Sequence, residues 1–303
     1  MGTITTGSFA KLLWPGINAI YGKAYNEYSP EWPEIFDKYT SSKAFEEDIG
    51  VTGFGLAAVV PEGAGITFDD MEQGFVSRYT HVTYGLGFII TRNMYDDNQY
   101  SEIGLNRAQS LAFSIRQTRE IVCANVLNRA FNASYEGGDG LELCSTAHKN
   151  KSGGTWRNEL STAAELSDAA LEQACIDIAA FTDDRGKTIK VLPKKLIIPP
   201  ALEFDAARIL KSIQQPGNAN NDINAIRVLG KIPQGYVVNH FLTDSNNWFI
   251  KTDAMHGMKL FERRKDAFGT ENDWETENAK FKATSRYAVG WSDARGIFGS
   301  SPA

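Results

Sequence analysis

Cys144 and His148 are the two residues whose chemistry and closeness in the chain could form a catalytic pair, since a thiolate nucleophile needs a base within reach. They fall in a loop bounded by Gly137-Gly138 and Gly153-Gly154, a spacing that does not orient them, and no carboxylate is marked to hold the imidazole. The plainer reading is a structural cysteine and a surface histidine. A metal site drawn from His148, His240, His256 and Cys144 is no stronger, because no pair stands at the short spacing of ligand motifs. Gly53-Phe54-Gly55 and Gly63-Ala64-Gly65 lack both the Gly-Lys-Ser/Thr ending and the strand-turn-helix setting of a phosphate-cradling loop. Glycines in a long hairpin more often permit bends or close backbone approach. Asp69, Asp70 and Glu72 could meet a cation, but a solvated hairpin tip is the favoured reading of the three. The chain has no recognisable active site, so neither cofactor nor metal is expected.

Composition narrows the class. The 303 residues are 42% hydrophobic, enough for one large or two ordinary domains. A net charge of -6 with a sequence pI near 5.4 disfavours a protein that reads DNA through general electrostatic attraction. No run approaches the roughly 20 apolar residues that span a bilayer, and the N-terminus has no basic stretch followed by an apolar one, so no membrane and no export signal are expected. Cys123, Cys144 and Cys175 are odd in number and widely spaced, which argues for reduced thiols in a cytoplasm.

The elements that must position these residues follow from periodicity. Asp96 to Tyr135 opens with N-cap residue types at Asp96, Asp97 and Asn98 and contains no proline, which predicts a single helix far longer than the usual 11 or so residues. Ala108, Leu111, Ile115, Val122, Val126 and Ala130 should form its buried stripe, with Arg107, Arg116, Arg119, Glu120, Asn128 and Arg129 on the wetter positions. Before it, Val51 to Val60 and Phe75 to Arg92 read as the strands of a long hairpin turned at Pro61 to Gly65. Such a ribbon is marginal alone and implies support from elsewhere. Residues 1 to 48 read as an irregular aromatic arm with a short helix at Ile17 to Glu27.

After the helix, Leu141 to Gly154 reads as a polar loop. Ser167 should cap a helix from Asp168 to Phe181, stapled by Leu166 and Leu171. Strands follow at Thr188 to Leu192 and Lys195 to Ile198, then a helix from Pro199-Pro200 to Ile213 and a loop at Gln214 to Asp222. Tyr236 to Phe241 and Trp248 to Lys251 should pair as a hairpin, with another strand at Met258 to Arg263. A long final strand alternates Phe281, Ala283, Ser285, Tyr287, Val289 and Trp291 against Lys280, Lys282, Thr284, Arg286 and Ala288.

Arm, long hairpin, very long helix, α/β unit and returning strand, in that order, resemble the major capsid proteins of tailed bacteriophages. The local text Leu143-Cys144-Ser145-Thr146-Ala147-His148 through Gly153-Gly154-Thr155, Asn158 and Leu160-Ser161, then Leu166 to Glu172, is similar to Mu-type major head subunits, as is Arg286 to Gly296. The resemblance implies an α+β fold of the tailed-phage major capsid type, shared with encapsulins. Its parts would be an N-terminal arm (1–48), an E-loop (49–95), the spine helix of a P domain (96–140), an A domain (141–275) and a P-domain C-terminal strand (276–303).

It also implies that copies of the chain assemble as pentamers and hexamers into an icosahedral virion shell around double-stranded DNA. Scaffolding, portal and decoration proteins would be partners, and assembly would take place in the host cytoplasm. Arm and hairpin should make the intersubunit contacts, through Trp14, Tyr21, Tyr25, Trp32, Phe54, Glu62, Phe68, Phe75, Arg78 and Tyr79. Some members of the family crosslink through an E-loop lysine; none lies between Ile49 and Tyr100, so a shell held by non-covalent contacts is expected. No N-terminal scaffolding segment is visible, which suggests a separate scaffold or a mature form. Alternatives are an encapsulin-like cargo compartment and, in another class, a soluble cysteine-dependent hydrolase or transferase using Cys144 and His148.

Overall fold

The computed structural model describes residues 19, 21–96, 100–215, 222–273 and 278–302. In chain order the elements are β1 (Asp37–Thr40), β2 (Phe45–Val51), β3 (Gln73–Thr80), β4 (Val82–Ile90), α1 (Arg92–Asp96), α2 (Tyr100–Asn128), β5 (His148–Lys149), β6 (Thr155–Trp156), α3 (Asp168–Ala179), β7 (Pro193–Ile198), α4 (Glu203–Lys211), α5 (Ala225–Val228), β8 (Tyr236–Val238), β9 (Trp248–Thr252), β10 (Met258–Asn272), β11 (Ala279–Trp291) and β12 (Ile297–Ser300).

One four-stranded sheet has the order β1-β10-β11-β4. Its centre is the long alternating strand expected from the sequence: Phe281, Ala283, Ser285 and Tyr287 turn inward and are at most 4% exposed, while Lys280 and Lys282 face solvent. The long helix α2 lies on this sheet. Leu111, Ala112 and Ile115 pack with Ala283 and Tyr21, and Ala108 packs with Ile90 and Phe281. Farther along, Cys123, Leu127 and Ala130 enter a second core with Trp32, Ile35, Phe36, Phe249 and Ile297.

The helix differs from expectation in length and in facing. It runs from Tyr100 to Asn128, not from Asp96 to Tyr135, and the proposed caps Asp97 and Asn98 lie outside the described residues. At its end tertiary hydrogen bonds replace the helical ladder: Ala130 O accepts from Cys144 N at 2.8 Å, and the Asn128 amide bonds Phe241 O and Thr243 N. Val122 and Val126 are only half-buried, whereas Arg119 and Glu120, assigned to the wet side, are buried. A buried charge persists only where it is paired. Arg119 reaches Glu262 at 3.3 Å and Asp266 at 2.9 Å, and the Glu120 carboxylate accepts the N–H groups of Glu31 and Trp32, both at 3.0 Å.

The hairpin is also displaced. β2 pairs with β3, bringing Phe45 opposite Thr80, and of the strand expected at Val51 to Val60 only Val51 is in a strand, as the last residue of β2. The run Phe75 to Arg92 is one extended stretch in sequence but two strands in space, divided at His81: β3 belongs to the projecting ribbon and β4 to the main sheet.

The α/β unit holds the largest core, with Leu171, Ile178, Phe181, Leu196, Ile198, Trp248 and Phe298. Ser167 caps α3 as expected, its Oγ accepting from Ala170 N at 3.2 Å. The proline pair opens a 3-10 turn, Pro200–Leu202, that leads into α4. The hairpin expected from Tyr236 to Lys251 does not form: the second sheet has the order β12-β9-β7-β8, so β8 and β9 sit on opposite sides of β7, β8 parallel and β9 antiparallel to it. Thr188 to Leu192 forms only an isolated bridge, Thr182 to Thr188. In the loop expected at Gln214 to Asp222, residues 216–221 lie outside the described residues.

β10 is far longer than expected and pairs with β11, while β12 returns to β9 in the second sheet. The C-terminal segment is thus shared between both sheets.

Candidate assembly interface

The segment joining β2 to β3 is closed at its base by Thr52, which is 2% exposed and exchanges hydrogen bonds with Glu72. Beyond that clamp the chain carries apolar side chains with nothing to bury them. Phe68 is 95% exposed, Val59 94%, Leu56 84% and Ile66 75%, and Phe54 and Met71 are also open. Burying a Val, Leu, Ile or Phe side chain fully is worth about 1.5–3 kcal/mol, so these residues together offer roughly 10 kcal/mol to a partner surface. An apolar stretch of this kind marks an interaction site.

Polar contacts tie the tip to its own chain. The Asp69 carboxylate accepts from Gly55 N at 2.6 Å and from Asp70 N at 3.0 Å and lies 3.3 Å from the Arg185 guanidinium. Those backbone donors, Gly55 first, hold its pKa below the ordinary carboxylate value. Lys187 Nζ donates to Phe54 O. The expected acidic tip at Asp69 and Asp70 therefore faces Arg185.

The residues expected at subunit contacts divide into groups. Phe54, Glu62, Phe68 and Arg78 are exposed, Arg78 lying over the Phe45 ring at 3.9 Å. Phe75 is half-buried. Tyr21 (6% exposed), Trp32 (7%) and Tyr79 (4%) are instead used by this chain's own core. Tyr21 stacks on Phe268 with centroids 4.6 Å apart, and Tyr79 OH bonds Ser292 Oγ at 2.6 Å. Tyr25 is half-buried and bonds Asp266. Trp14 lies outside the described residues. Leu56 and Val59 lie in an uncharged apolar run that reads as a strand, and Ile66 lies just past the turn that follows it; the available signal was the run's lack of alternation.

A second feature of the surface is a groove of about 330 Å3 beside α2, lined by Val82, Tyr84, Val122, Val126, Tyr135 and the basic Arg78 and Arg129. Val82 on its rim is 50% exposed.

The cysteine and histidine of the loop after α2 have structural surroundings. Leu141 to Gly154 is not the solvated loop expected: Leu143, Cys144 and His148 are all at most 1% exposed. Asn158 pins the loop, its Oδ1 accepting from Ser145 N and its Nδ2 donating to the carbonyls of Leu143, Ala294 and Ile297. His148 is no surface histidine. Its Nδ1 meets Asp139 at 2.6 Å, its ring stacks on Trp156, and its Nε2 has no partner, so it does not engage Cys144. Burial pushes the Cys144 thiol well above its ordinary pKa, which removes the thiolate that nucleophilic chemistry needs. Among the described residues no group of three or more His, Cys, Asp or Glu side chains is arranged to hold a metal ion.

The fold is that of tailed-phage capsid shells. A structure from Mycobacterium phage Cain superposes with a TM-score of 0.54 at 11% identity, covering 91% of this chain and 91% of that one. One from Microbacterium phage Oxtober96 gives 0.53 at 10% identity over 91% and 92%. A virus-like particle from Pyrococcus furiosus gives 0.51 at 11% identity over 94% and 98%, so the fold is shared with that particle as well. No curated protein matches the sequence. The sequence model of the family described as phage capsid protein matches residues 75–299, and the chain belongs to that family. It is a major capsid protein, a structural component of the virion that self-assembles into a shell. Kinship with Mu-type head subunits in particular rests on the loop and C-terminal motifs alone.

Proposed function

We propose that this capsid subunit assembles as pentamers and hexamers into an icosahedral shell around double-stranded DNA, interlocked by the β2–β3 hairpin. The observation that carries this reading is the apolar tip, whose Leu56, Val59, Ile66 and Phe68 are each at least 75% exposed with no support from their own chain. The hairpin is the E-loop, α2 with the β1-β10-β11-β4 sheet the P domain, and the β12-β9-β7-β8 sheet with its helices the A domain; β10 thus moves to the P domain and β12 to the A domain. The intersubunit set narrows to Phe54, Glu62, Phe68 and Arg78, joined by Leu56, Val59 and Ile66.

The tip's receptor is the groove beside α2 on a neighbouring copy. Residues 49–77 carry Glu62, Asp69, Asp70 and Glu72 and no lysine or arginine, and the groove offers Arg78 and Arg129, against the single acid Glu136, around an apolar floor. Opposite charge at the rim with apolar contact at the centre is the anatomy of a specific interface. With no E-loop lysine, the shell is held without covalent links from that loop. The chain has no enzymatic role. Scaffolding and portal proteins direct its assembly in the host cytoplasm, decoration proteins add to the shell's outside, and lumenal DNA meets it non-specifically. Negative-stain microscopy of the purified chain and of a 56–68 deletion tests the reading. Shells or capsomers from the intact chain and folded, unassembled subunits from the deletion are expected; normal particles from the deletion would refute it.

A further inference from the structure

β10 and β11 form a long ribbon, paired from Met258 with Trp291 to Asn272 with Ala279, and its charge is segregated along its length. Near the root of the projecting hairpin stand Arg263, Arg264 and Lys265. Two register shifts fall among these residues, between Glu262 and Arg264 and between Arg264 and Ala267. A regular strand turns successive side chains to opposite faces, whereas bulges re-aim them, and here all three consecutive cations are exposed. Opposite Arg264 on β11 is Arg286, a like-charge pair of the kind that costs a sheet stability. Burial first, and then Arg286 and Arg263 against the opposing pull of Glu46, lower the pKa of His81, so both guanidinium groups reach the same imidazole.

None of the four cations has an ion pair or a side-chain hydrogen bond among the described residues, and Arg286 Nε is buried without a partner. The acids nearby are already taken. Glu262 meets Lys38 and Arg119, Asp266 meets Arg119 and Tyr25, and Glu46 is shared between Lys43 and Ser41. In a chain of net charge -6, four neighbouring uncompensated cations mark a site for an anion. The far end of the same ribbon is acidic. Residues 271–277, of which 274–277 lie outside the described residues, carry Glu271, Asp273, Glu275 and Glu277 and no lysine or arginine. Lys282 and Lys280 meet Glu271 and Asp273, which leaves acid in excess.

The two ends cannot satisfy each other within one subunit. From the pair Arg264 and Arg286 to the pair Asn272 and Ala279 the ladder spans roughly 25 Å at the usual rise per residue. Charges so far apart are screened, the Debye length being about 8 Å at physiological ionic strength. We propose that the cluster of Arg263, Arg264, Lys265 and Arg286 binds the acidic segment 271–277 of a second copy of this chain, a head-to-tail contact between ribbons. Its halves lie on different surfaces of the subunit, so it is heterologous and propagates into a ring or lattice, as a shell requires. DNA would also meet cations, but this chain supplies the matching acids itself. The acidic hairpin tip is a poorer match, since its apolar side chains need an apolar floor and the residues beside the cluster are Thr83, Gly85 and Thr284. The contact rests on the shell reading proposed above.

Charge reversal with rescue is the test, read as shell yield of the full-length chain in negative-stain micrographs and size-exclusion chromatography at physiological ionic strength. Arg264→Glu with Lys265→Glu should leave the melting curve near that of the parent, since both side chains are exposed, and should cut shell yield at least about tenfold. Glu275→Lys with Glu277→Lys should do the same from the other side. Combining all four substitutions exchanges the signs and should restore yield to within about threefold of the parent. Normal yield from either double variant, or no recovery in the combined one, would overturn the contact. Loss confined to the cation variant would do so too, and would assign the cations to another polyanion, DNA first. If a reversal unfolds the subunit, the charge-removing Gln variants at the same positions take its place and must still lower the yield. A parent chain that forms no particles refutes the shell reading and the contact with it, whereas particles from parent and variants alike refute only the contact.

Discussion

Arg119 is the residue on which the subunit's interior depends most visibly for charge balance. Its side chain is 7% exposed and bridges α2 to β10 through Glu262 and Asp266, with its guanidinium 4.9 Å from the Tyr287 ring centre. Arg119→Met removes one partner from a buried network and leaves Asp266 uncompensated, so urea unfolding should report a loss of about 3–5 kcal/mol. Arg116→Ala is the control: its bond to Ser29 O is exposed, and the change should stay within about 0.5 kcal/mol. Cys144→Ala trims a buried, unreactive side chain and should cost about 1 kcal/mol while leaving particle morphology unchanged. Altered assembly in that variant would mean that Cys144 has a role beyond packing.

At the scale of elements, α2 has two faces with different duties. Leu127 is fully buried between Trp32, Phe36 and Phe249, whereas Val122 lines the open groove. Leu127→Ala should destabilise the subunit by about 3 kcal/mol in denaturant titration. Val122→Asp should leave the circular dichroism and melting curve near those of the parent, yet reduce shell yield, since it places an acid where an acidic hairpin tip docks. An unfolded Val122→Asp subunit would mean that the groove is core. β8 and β9 carry a related lesson: each has the apolar content of a strand, but both pair with β7 instead of with each other.

For the whole molecule, stability and assembly should separate. The tip residues Val59 and Phe68 are 94% and 95% exposed, so the double substitution Val59→Ser, Phe68→Ser takes nothing from the subunit's core. Its unfolding free energy should match the parent within about 0.5 kcal/mol, while size-exclusion chromatography and micrographs should show capsomers or monomers in place of shells. Parental particle yield would place the interlocking contacts elsewhere. A subunit that keeps its core intact and leaves its tip bare has stability to fold alone and apolar area reserved for neighbours.

The alternating face of β11, the Ser167 cap and the existence of a very long helix are all local properties, and the sequence by itself determined them. They depend on residues within one or two turns or along one strand. The tertiary structure alone decided that Arg119 and Glu120 are buried, because the groups that satisfy them lie 143 and 88 residues away in Glu262 and Trp32. It also decided that His81 divides one extended run between two sheets, that Tyr21 and Trp32 serve the chain's own core, and that the apolar run beyond Val51, up to Val60, has no strand to pair with. Whether an apolar residue is core or interface depends on which surface reaches it, and a chain read residue by residue does not carry that distance.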